Sequence, residues 1–100
     1  MSYSLAFVES ALKEWRKLAP GIREQLKHKL AERLEQPHVP SARVHGMPDC
    51  YKIKLRTAGY RLVYQVDDKV QVDDKVVLVT VIAVGRRDKG LVYLTAKKRS

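Results

Sequence analysis

The sequence predicts an α+β fold, with two N-terminal helices packed on a small antiparallel sheet and a short helix at the C-terminus. Apolar residues recur every three to four positions over residues 8–34, which indicates amphipathic helices. Residues 51–56 alternate strictly between apolar and basic side chains, and residues 76–84 are almost entirely apolar, which indicates strands, the second of them central. A chain of 100 residues, 45% of them hydrophobic, fits a single domain over 1–100 with one small core.

The first third of the chain is predicted to form a strand and two helices. Residues 5–8 are an apolar run that suits a short strand. The first helix is predicted by the apolar positions Val8, Ala11, Leu12, Trp15 and Leu18. The second is predicted by Ile22, Leu26, Leu30 and Leu34, which lie four apart. Pro20 and Gly21 separate the two helices, and Pro37 ends the second, because proline cannot continue a helix.

A β-hairpin is predicted after the proline-rich loop 37–50. The side chains of its first strand divide into two faces, with Tyr51, Ile53 and Leu55 on one and Lys52, Lys54 and Arg56 on the other. We expect a two-residue turn at Ala58-Gly59, which would place Lys54 opposite Val63 and Arg56 opposite Arg61. Arg61 would then lie on the same face as the lysines.

A tandem repeat marks the tip of the next hairpin. The hexapeptide Gln-Val-Asp-Asp-Lys-Val occupies 65–70 and again 71–76. An insertion of six residues preserves the alternation of a strand, so we expect a longer ribbon or an acidic loop, with the core unchanged. After the strand 76–84, residues 86–90 are predicted to form a basic turn and residues 91–98 the last helix.

The charge distribution favours a polyanionic partner. The formal net charge is +9, and the excess is concentrated in two segments. Residues 43–61 contain five basic side chains and one acidic one, and residues 86–100 contain six and one. Clustered cations of this kind are typical of proteins that bind nucleic acid, although they also occur on solvated surfaces.

Several classes of site are excluded by the residue types. The single cysteine, Cys50, permits neither an intrachain disulfide nor a cysteine-based zinc site, and no histidine pair has metal-ligand spacing. No glycine-rich phosphate loop is present. We therefore expect no metal and no cofactor. His38 and His45 lie in the loop near the basic strand, where one of them could act as an acid or base.

The basic face of the hairpin has the parts that metal-free RNA cleavage needs. Like charges on one antiparallel patch repel each other, so Lys52, Lys54, Arg56 and Arg61 make best sense beneath an anion. Crowding also disfavours the charged form of a lysine, which could then accept a proton from a 2′-hydroxyl. Arginine stays charged and binds phosphate with two parallel hydrogen bonds. A tyrosine beyond this face, Tyr93, offers a platform for an unpaired base.

The chain resembles the RelE family of toxins from bacterial toxin–antitoxin systems. The resemblance covers almost the whole chain except the second hexapeptide, and it is carried by long stretches: Ala11-Leu-Lys-Glu-Trp-Arg-Lys-Leu18, Arg23-Glu-Gln-Leu-Lys27, Gly46-Met-Pro-Asp-Cys-Tyr-Lys-Ile-Lys-Leu-Arg56 and Gly59-Tyr-Arg-Leu-Val-Tyr-Gln-Val66. It implies two N-terminal helices on an antiparallel sheet. It also implies an endoribonuclease that cuts mRNA in the ribosomal A site.

The resemblance also implies a set of catalytic residues. The family's active-site positions match Lys52, Lys54, Arg61, Arg87 and Tyr93 of this chain. Additional contacts to RNA are expected from three basic residues, Arg56, Arg86 and Lys89. Our assignment makes Lys54 the base, places Lys52 and Arg61 on the phosphate, gives Arg87 the leaving oxygen and stacks a base on Tyr93.

The implied partners are a RelB-like antitoxin and the 70S ribosome with its mRNA and rRNA. Operator DNA would be contacted only through the antitoxin complex, in repression of the toxin's own promoter, and the expected compartment is the cytoplasm. Two alternatives remain open from the sequence. One is a toxin of the same fold that poisons DNA gyrase without catalysis, although ParE-like relatives of that kind lack the paired lysines and their arginines. The other is a subunit that only binds nucleic acid.

Overall fold

The computed structural model describes residues 3–72, 75–86 and 90–99. In chain order the elements are β1 (Ser4–Phe7), α1 (Glu9–Arg16), α2 (Pro20–Glu35), a 3-10 turn (Pro40–Ala42), β2 (Cys50–Leu55), β3 (Tyr60–Val72), β4 (Lys75–Arg86) and α3 (Leu91–Arg99). The α+β class predicted from the sequence is confirmed, and every predicted helix and strand is present within a few residues of its expected bounds.

The two N-terminal helices begin and end where the local sequence favours it. In α1 the acidic Glu9 lies in the first turn and Lys13 and Arg16 lie in the last, as the helix dipole favours. Pro20 opens α2 at a position where its missing N–H would have no partner in any case. The helix ends before Pro37, as predicted.

The sheet has the strand order β1-β4-β3-β2 and is mixed, which corrects the expectation of a purely antiparallel sheet. The strands β2, β3 and β4 form the antiparallel meander, but β1 pairs parallel with β4, from Ser4 opposite Leu78 to Phe7 opposite Val81. The chain between β1 and β4 contains both helices and the hairpin. Because this connection is long, the chain can cross back so that β4 runs parallel to β1. A tight turn would allow only antiparallel pairing.

The register of the β2–β3 hairpin differs from the prediction by two residues. Lys54 lies opposite Arg61 and Lys52 lies opposite Val63. The connection is a four-residue turn rather than the two-residue turn expected at Ala58-Gly59; Gly59 has a φ of 72° and donates its N–H to the Leu55 carbonyl at 2.8 Å. Because the difference is an even number, the predicted division of side chains between the two faces still holds.

The core consists of two clusters, one on each face of the sheet. The larger cluster, under α1 and α2, includes Leu26, Leu30, Ile53, Leu62 and Tyr64. The smaller cluster, under α3, includes Met47, Cys50, Val63, Ile82 and Val92. The strand β4 is apolar on both faces because it contributes to both clusters, as predicted for a central strand.

The repeated hexapeptide lengthens the β3–β4 ribbon, one of the two outcomes expected from the sequence. Pairing extends to Gln71 opposite Val76 and Val72 opposite Lys75, and an irregularity lies between Asp67 and Gln71. The remaining aspartates of the tip, at 73 and 74, lie outside the described residues. Within the described residues, no helix is both long enough and apolar enough to cross a membrane.

Candidate nucleic-acid interface and active site

Two strands and the last helix bring four of the predicted catalytic residues together. Alternation along β2 places Lys52 and Lys54 on one face, and the register places Arg61 of β3 directly opposite Lys54. Helix α3 covers the same face through Val92 and Ala96 and carries Tyr93 to it. We call Lys52, Lys54, Arg61 and Tyr93 the basic face.

The ring of Tyr93 lies against the cations of the basic face. The Arg61 guanidinium carbon is 5.1 Å from the ring centroid and the Lys52 Nζ is 6.0 Å from it, both within the range of cation–π attraction. The Tyr93 hydroxyl is buried and has no hydrogen-bond partner among the described residues. Burial of a hydroxyl without a hydrogen-bond partner costs about 1–3 kcal/mol of stability. This position of the Tyr93 side chain is therefore destabilised by its hydroxyl.

The backbone of Lys52 accepts a hydrogen bond from an arginine that was not among the residues predicted for the site. Arg33, near the end of α2, donates from Nη1 to the Lys52 carbonyl at 3.1 Å and to the Tyr64 hydroxyl at 3.0 Å. Tyr64 is fully buried and donates in turn to the Pro37 carbonyl at 2.7 Å. Burial raises the pKa of Tyr64, against the opposing effect of Arg33. These contacts tie β2 to α2 at the level of the first lysine.

The other predicted RNA contacts are not all placed on the basic face. Arg56 lies in the exposed turn after β2. Arg86 pairs with Tyr60, and its guanidinium carbon is 5.8 Å from that ring. Tyr60 packs against the larger cluster, so Arg86 lies on the face of the sheet opposite to Arg61. Arg87 and Lys89 lie outside the described residues.

The histidine considered as a possible acid or base is held away from the lysines. The Nδ1 of His38 is 3.0 Å from the Tyr51 hydroxyl, and its Nε2 is 2.9 Å from Asp68 Oδ2. Tyr51 belongs to the larger cluster, on the face opposite to Lys52. His45 is exposed and lines an open cleft of the loop 43–48.

Asp68 is the centre of a small polar network at the base of the ribbon. The Tyr3 hydroxyl donates to its Oδ1 at 2.7 Å, while His38 contacts Oδ2. The hydrogen bond from Tyr3, supported by His38, lowers the pKa of Asp68. The same hydrogen bond raises the pKa of Tyr3 to about 12. The first copy of the hexapeptide is therefore tied to β1 and to the loop.

An ion pair that the sequence did not reveal fixes the end of α3. The Arg99 Nη1 is 2.9 Å from Glu14 Oε1 and its Nη2 is 3.1 Å from Oε2, so the contact is bidentate. Arg99 also donates to the Ile82 carbonyl at 2.8 Å, and Glu14 accepts from the Val84 N–H at 3.3 Å. The pair thus satisfies backbone groups of β4 beyond the end of β1. Eighty-five positions separate the partners, so no local pattern could have indicated them.

Reactive groups other than the basic face are few in the described part of the chain. There, no group of three or more histidine, cysteine, aspartate or glutamate residues could hold a metal ion. Burial raises the pKa of the Cys50 thiol to about 11, which makes it an unreactive core residue. The arrangement that remains can bind a phosphate with several cations and present an aromatic ring.

Comparison with known proteins identifies a matching family and a curated relative that covers nearly the whole chain. The model of the family described as "ParE toxin of type II toxin-antitoxin system, parDE" matches residues 5–89. The curated mRNA interferase toxin RelE of Escherichia coli (strain K12) is 59% identical over 99 residues, which cover 99% of this chain and 98% of the relative.

Solved structures agree with this comparison. A free E. coli RelE toxin with two arginines substituted matches with a TM-score of 0.82 and 56% identity, covering 99% of this chain and 98% of that one. The toxin of the intact E. coli RelBE toxin–antitoxin complex matches with a TM-score of 0.75 and 57% identity, covering 88% of this chain and 100% of that one. The toxin of an archaeal RelE–RelB complex from Pyrococcus horikoshii shares the fold, with a TM-score of 0.61 at 19% identity.

Proposed function

The chain belongs to the RelE/ParE family of type II toxins, and we propose that it is an mRNA interferase that stops translation by cutting message in the ribosomal A site. The observation that supports this most strongly is the basic face. Lys54 lies opposite Arg61, beside Lys52, and an aromatic ring lies within reach of both Arg61 and Lys52. The 59% identity to a curated mRNA interferase extends over the same segments.

The proposed reaction is attack of a 2′-hydroxyl on its own 3′-phosphate. Lys54, in its neutral form, takes the proton of the 2′-hydroxyl as the O2′–P bond forms. Lys52 and Arg61 hold the non-bridging oxygens, where negative charge accumulates. The P–O5′ bond breaks, Arg87 stabilises or protonates the leaving oxygen, and the products are a 2′,3′-cyclic phosphate and a 5′-hydroxyl.

Tyr93 is proposed to leave its place against Arg61 and stack on a base of the message. Two properties of its present position favour this exchange. A base offers the ring a comparable stacking surface, worth about 1–3 kcal/mol, and movement lets the buried hydroxyl regain a hydrogen-bond partner. Stacking would hold the message in a bent conformation suited to in-line attack.

The ribosome is proposed to supply the orientation that the basic face alone does not. The basic face consists of lysine, arginine and tyrosine side chains, which are weaker general acids and bases at neutral pH than histidine, so free RNA should be a poor substrate. The compartment proposed for the reaction is therefore the cytoplasm, where ribosomes and message meet. Primer extension on a translated message tests the proposal. We expect cuts in phase with codons on ribosome-engaged message, and uniform cutting of free RNA would contradict it.

The gyrase-directed alternative has one observation in its favour, since the matching family model is described by its ParE member. Against it stands the presence of Lys52, Lys54, Arg61 and Tyr93 in one place. A supercoiling assay with purified gyrase separates the two functions. We expect no inhibition at protein concentrations that stop translation in vitro, and inhibition there would favour the gyrase-directed function.

The proposed partner is a RelB-like antitoxin, as in the E. coli RelBE complex. We propose that one of its helices covers the basic face and displaces or distorts α3, and that operator DNA is bound only through the antitoxin. Because the basic face and the tail of α3 carry a positive charge, association should be fast and sensitive to salt. Stopped-flow mixing measures this rate, and an association rate that is equal at low and high salt would contradict steering by charge.

A further inference from the structure

A second basic surface runs along the outer edge of β2, next to the basic face. Two clefts lie between this edge and α2, with volumes of about 240 and 350 Å³. Both are lined by Lys54 and Arg56, so they form one continuous groove. We call it the edge groove; its other polar walls include Gln25, Lys29 and Arg33 of α2.

The two walls of the edge groove match each other in spacing. Gln25, Lys29 and Arg33 lie four positions apart, so they share one face of α2 and span about 12 Å. Along the opposite wall, Lys52 to Arg56 spans about 13 Å of extended chain. Polar and cationic side chains therefore flank the groove over its whole length, as a polymer with regularly spaced charges requires.

The charge of the edge groove is uniformly positive. Among the residues that line the two clefts, Lys29, Arg33, Lys52, Lys54 and Arg56 are basic and none is acidic. Arg33 uses Nη1 for both of its described hydrogen bonds, and a guanidinium carries five N–H donors in all. Its remaining donors can serve a phosphate while Nη1 stays on the backbone of β2. A polyanion in the groove would lie near several of these cations at once.

We propose that the edge groove binds the phosphate backbone of the message on the 3′ side of the cut. This inference rests on the proposed function, because Lys52 and Lys54 of the basic face also line the groove. The ligand is single-stranded RNA, held by its phosphates without reading of sequence. The groove supplies affinity and holds the strand in line, while the basic face performs the chemistry.

Lys29 is the residue that tests the groove, because it is exposed, lies at mid-groove and takes no part in the reaction. Lys27 is the matched control: it is also exposed on the same helix, and it lines neither cleft. On ribosome-engaged message we expect Lys29→Ala to raise KM about 3- to 10-fold with kcat within twofold. The salt dependence of log KM should also lose about 0.7 of its slope, which corresponds to one phosphate contact on a single strand. Lys27→Ala should behave as wild type.

Message length separates mRNA from rRNA as the bound strand. On messages that end one nucleotide after the cut, the penalty of Lys29→Ala should disappear. A penalty of the same size on these short messages would mean that Lys29 contacts rRNA, and it would overturn the proposal. Equal effects of Lys27→Ala and Lys29→Ala, no effect of either, or a loss in kcat alone would overturn it as well.

A binding measurement keeps the groove testable apart from the reaction. Fluorescence anisotropy of a labelled single-stranded oligonucleotide at low salt requires neither ribosome nor cleavage. We expect Lys29→Ala to weaken binding several-fold and Lys27→Ala to leave it unchanged. If the wild type failed to cut any message, the proposed function would be wrong. The difference in RNA binding between Lys29→Ala and Lys27→Ala would still support the groove. If the wild type cut message and the two variants bound RNA equally, the groove alone would be wrong.

Discussion

Lys54 and Arg61 face each other across the β2–β3 pair, and the proposed chemistry depends most on this contact between strands. A fixed positive charge opposite a lysine disfavours the protonated form of its amine. It therefore favours the neutral form, which a general base requires. The Arg61 guanidinium also packs against the Tyr93 ring, from which the proposed stacking of that ring on the message would release it. In the proposed reaction the two residues therefore have different tasks, Lys54 as proton acceptor and Arg61 as permanent cation.

Substitution of Lys54 separates these tasks. Lys54→Arg preserves the positive charge but cannot accept a proton at neutral pH. We expect Lys54→Arg and Lys54→Ala to lower the single-turnover cleavage rate to a similar extent, at least about 100-fold, with the melting temperature unchanged because Lys54 is exposed. If Lys54→Arg retained more than a tenth of the wild-type rate, the residue would act only through its charge.

At the residue scale, the sequence predicted which side chains share a face but not which of them touch. Alternation assigns Lys52 and Lys54 to one face, and Arg61 shares that face in every register that differs from the observed one by an even number of residues. The contact of Arg33 with the backbone of Lys52 depends on how α2 crosses an edge strand, which no local pattern encodes. Arg86 was grouped with the basic face because it follows the strand closely, yet Gly85 is the residue opposite Arg61.

Among the elements, the last helix is held on the sheet by two buried side chains, by Tyr93 and by an ion pair at its C-terminal end. Val92 and Ala96 are buried, but Leu91 and Leu94 remain 56% and 57% exposed. The pair of Glu14 and Arg99 adds an anchor at a place where β4 has passed the end of β1 and its backbone groups need partners. An element anchored in this way can be moved by a partner that competes for the same surface.

Breaking the Glu14–Arg99 pair should release α3 without unfolding the sheet. The two side chains are 33% and 24% exposed, so the pair is neither fully screened nor fully buried. For Glu14→Gln we expect a loss of about 1–2 kcal/mol in the free energy of unfolding, with faster hydrogen exchange in 91–99. Lys13→Ala breaks a pair with Glu9 that is 69% and 86% exposed and serves as the control, with an expected loss below about 0.5 kcal/mol. Equal losses in the two variants would contradict the anchoring role.

The network around Asp68 should make stability depend on pH at the acid end. Its pKa in the folded protein lies below the ordinary value of 3.8, so its contribution is present above that value and is lost as the pH falls through the lowered one. Tyr3 remains a donor throughout, because its pKa is raised to about 12.

Urea midpoints measured from pH 6 down to pH 2.5 test this network. As the pH falls, we expect the urea midpoint of Asp68→Asn to decline less steeply than that of the wild type. Glu24 is exposed, so the midpoint of Glu24→Gln should follow the wild type. Parallel curves for all three proteins would show that the network contributes nothing to the acid limb.

Elements were easier to predict than the way they connect. Helical spacing, proline positions and the apolar run of β4 determined the helices and strands, because each depends on neighbours in sequence. The turn at 56–59 was missed because the preference of glycine for a positive φ fits two loop lengths equally well. The parallel pairing of β1 was missed because it is decided by an edge that forms only when the meander has folded.

In the molecule as a whole, the repeated hexapeptide lengthens the β3–β4 ribbon and adds no separate structural element. The pairs Val66 opposite Val79 and Asp67 opposite Leu78 precede the irregularity, and the core residues whose burial the structure describes lie on the same side of it as these pairs. Deletion of either copy produces the same sequence, and one aspartate at the position of Asp68 remains next to Tyr3.

Deletion of 71–76 should therefore leave stability and cleavage nearly unchanged. Shortening the ribbon by six residues preserves the alternation and changes the closure entropy by a few tenths of a kcal/mol at most. Thermal unfolding and single-turnover cleavage of the deletion variant test this. A fall in cleavage of more than tenfold, about 1.4 kcal/mol, would mean that the tip makes a contact of its own with the ribosome.

In the proposed mechanism the message supplies its own nucleophile, while the basic face supplies proton transfer and positive charge. A message with a single 2′-deoxynucleotide immediately 5′ of one cut site measures this directly, since only the attacking oxygen is missing. We predict that cutting at that phosphate disappears on the ribosome, while neighbouring sites are cut as before and yield 2′,3′-cyclic phosphate ends. Cleavage of the deoxy-substituted site at the rate of the ribose message would contradict the mechanism.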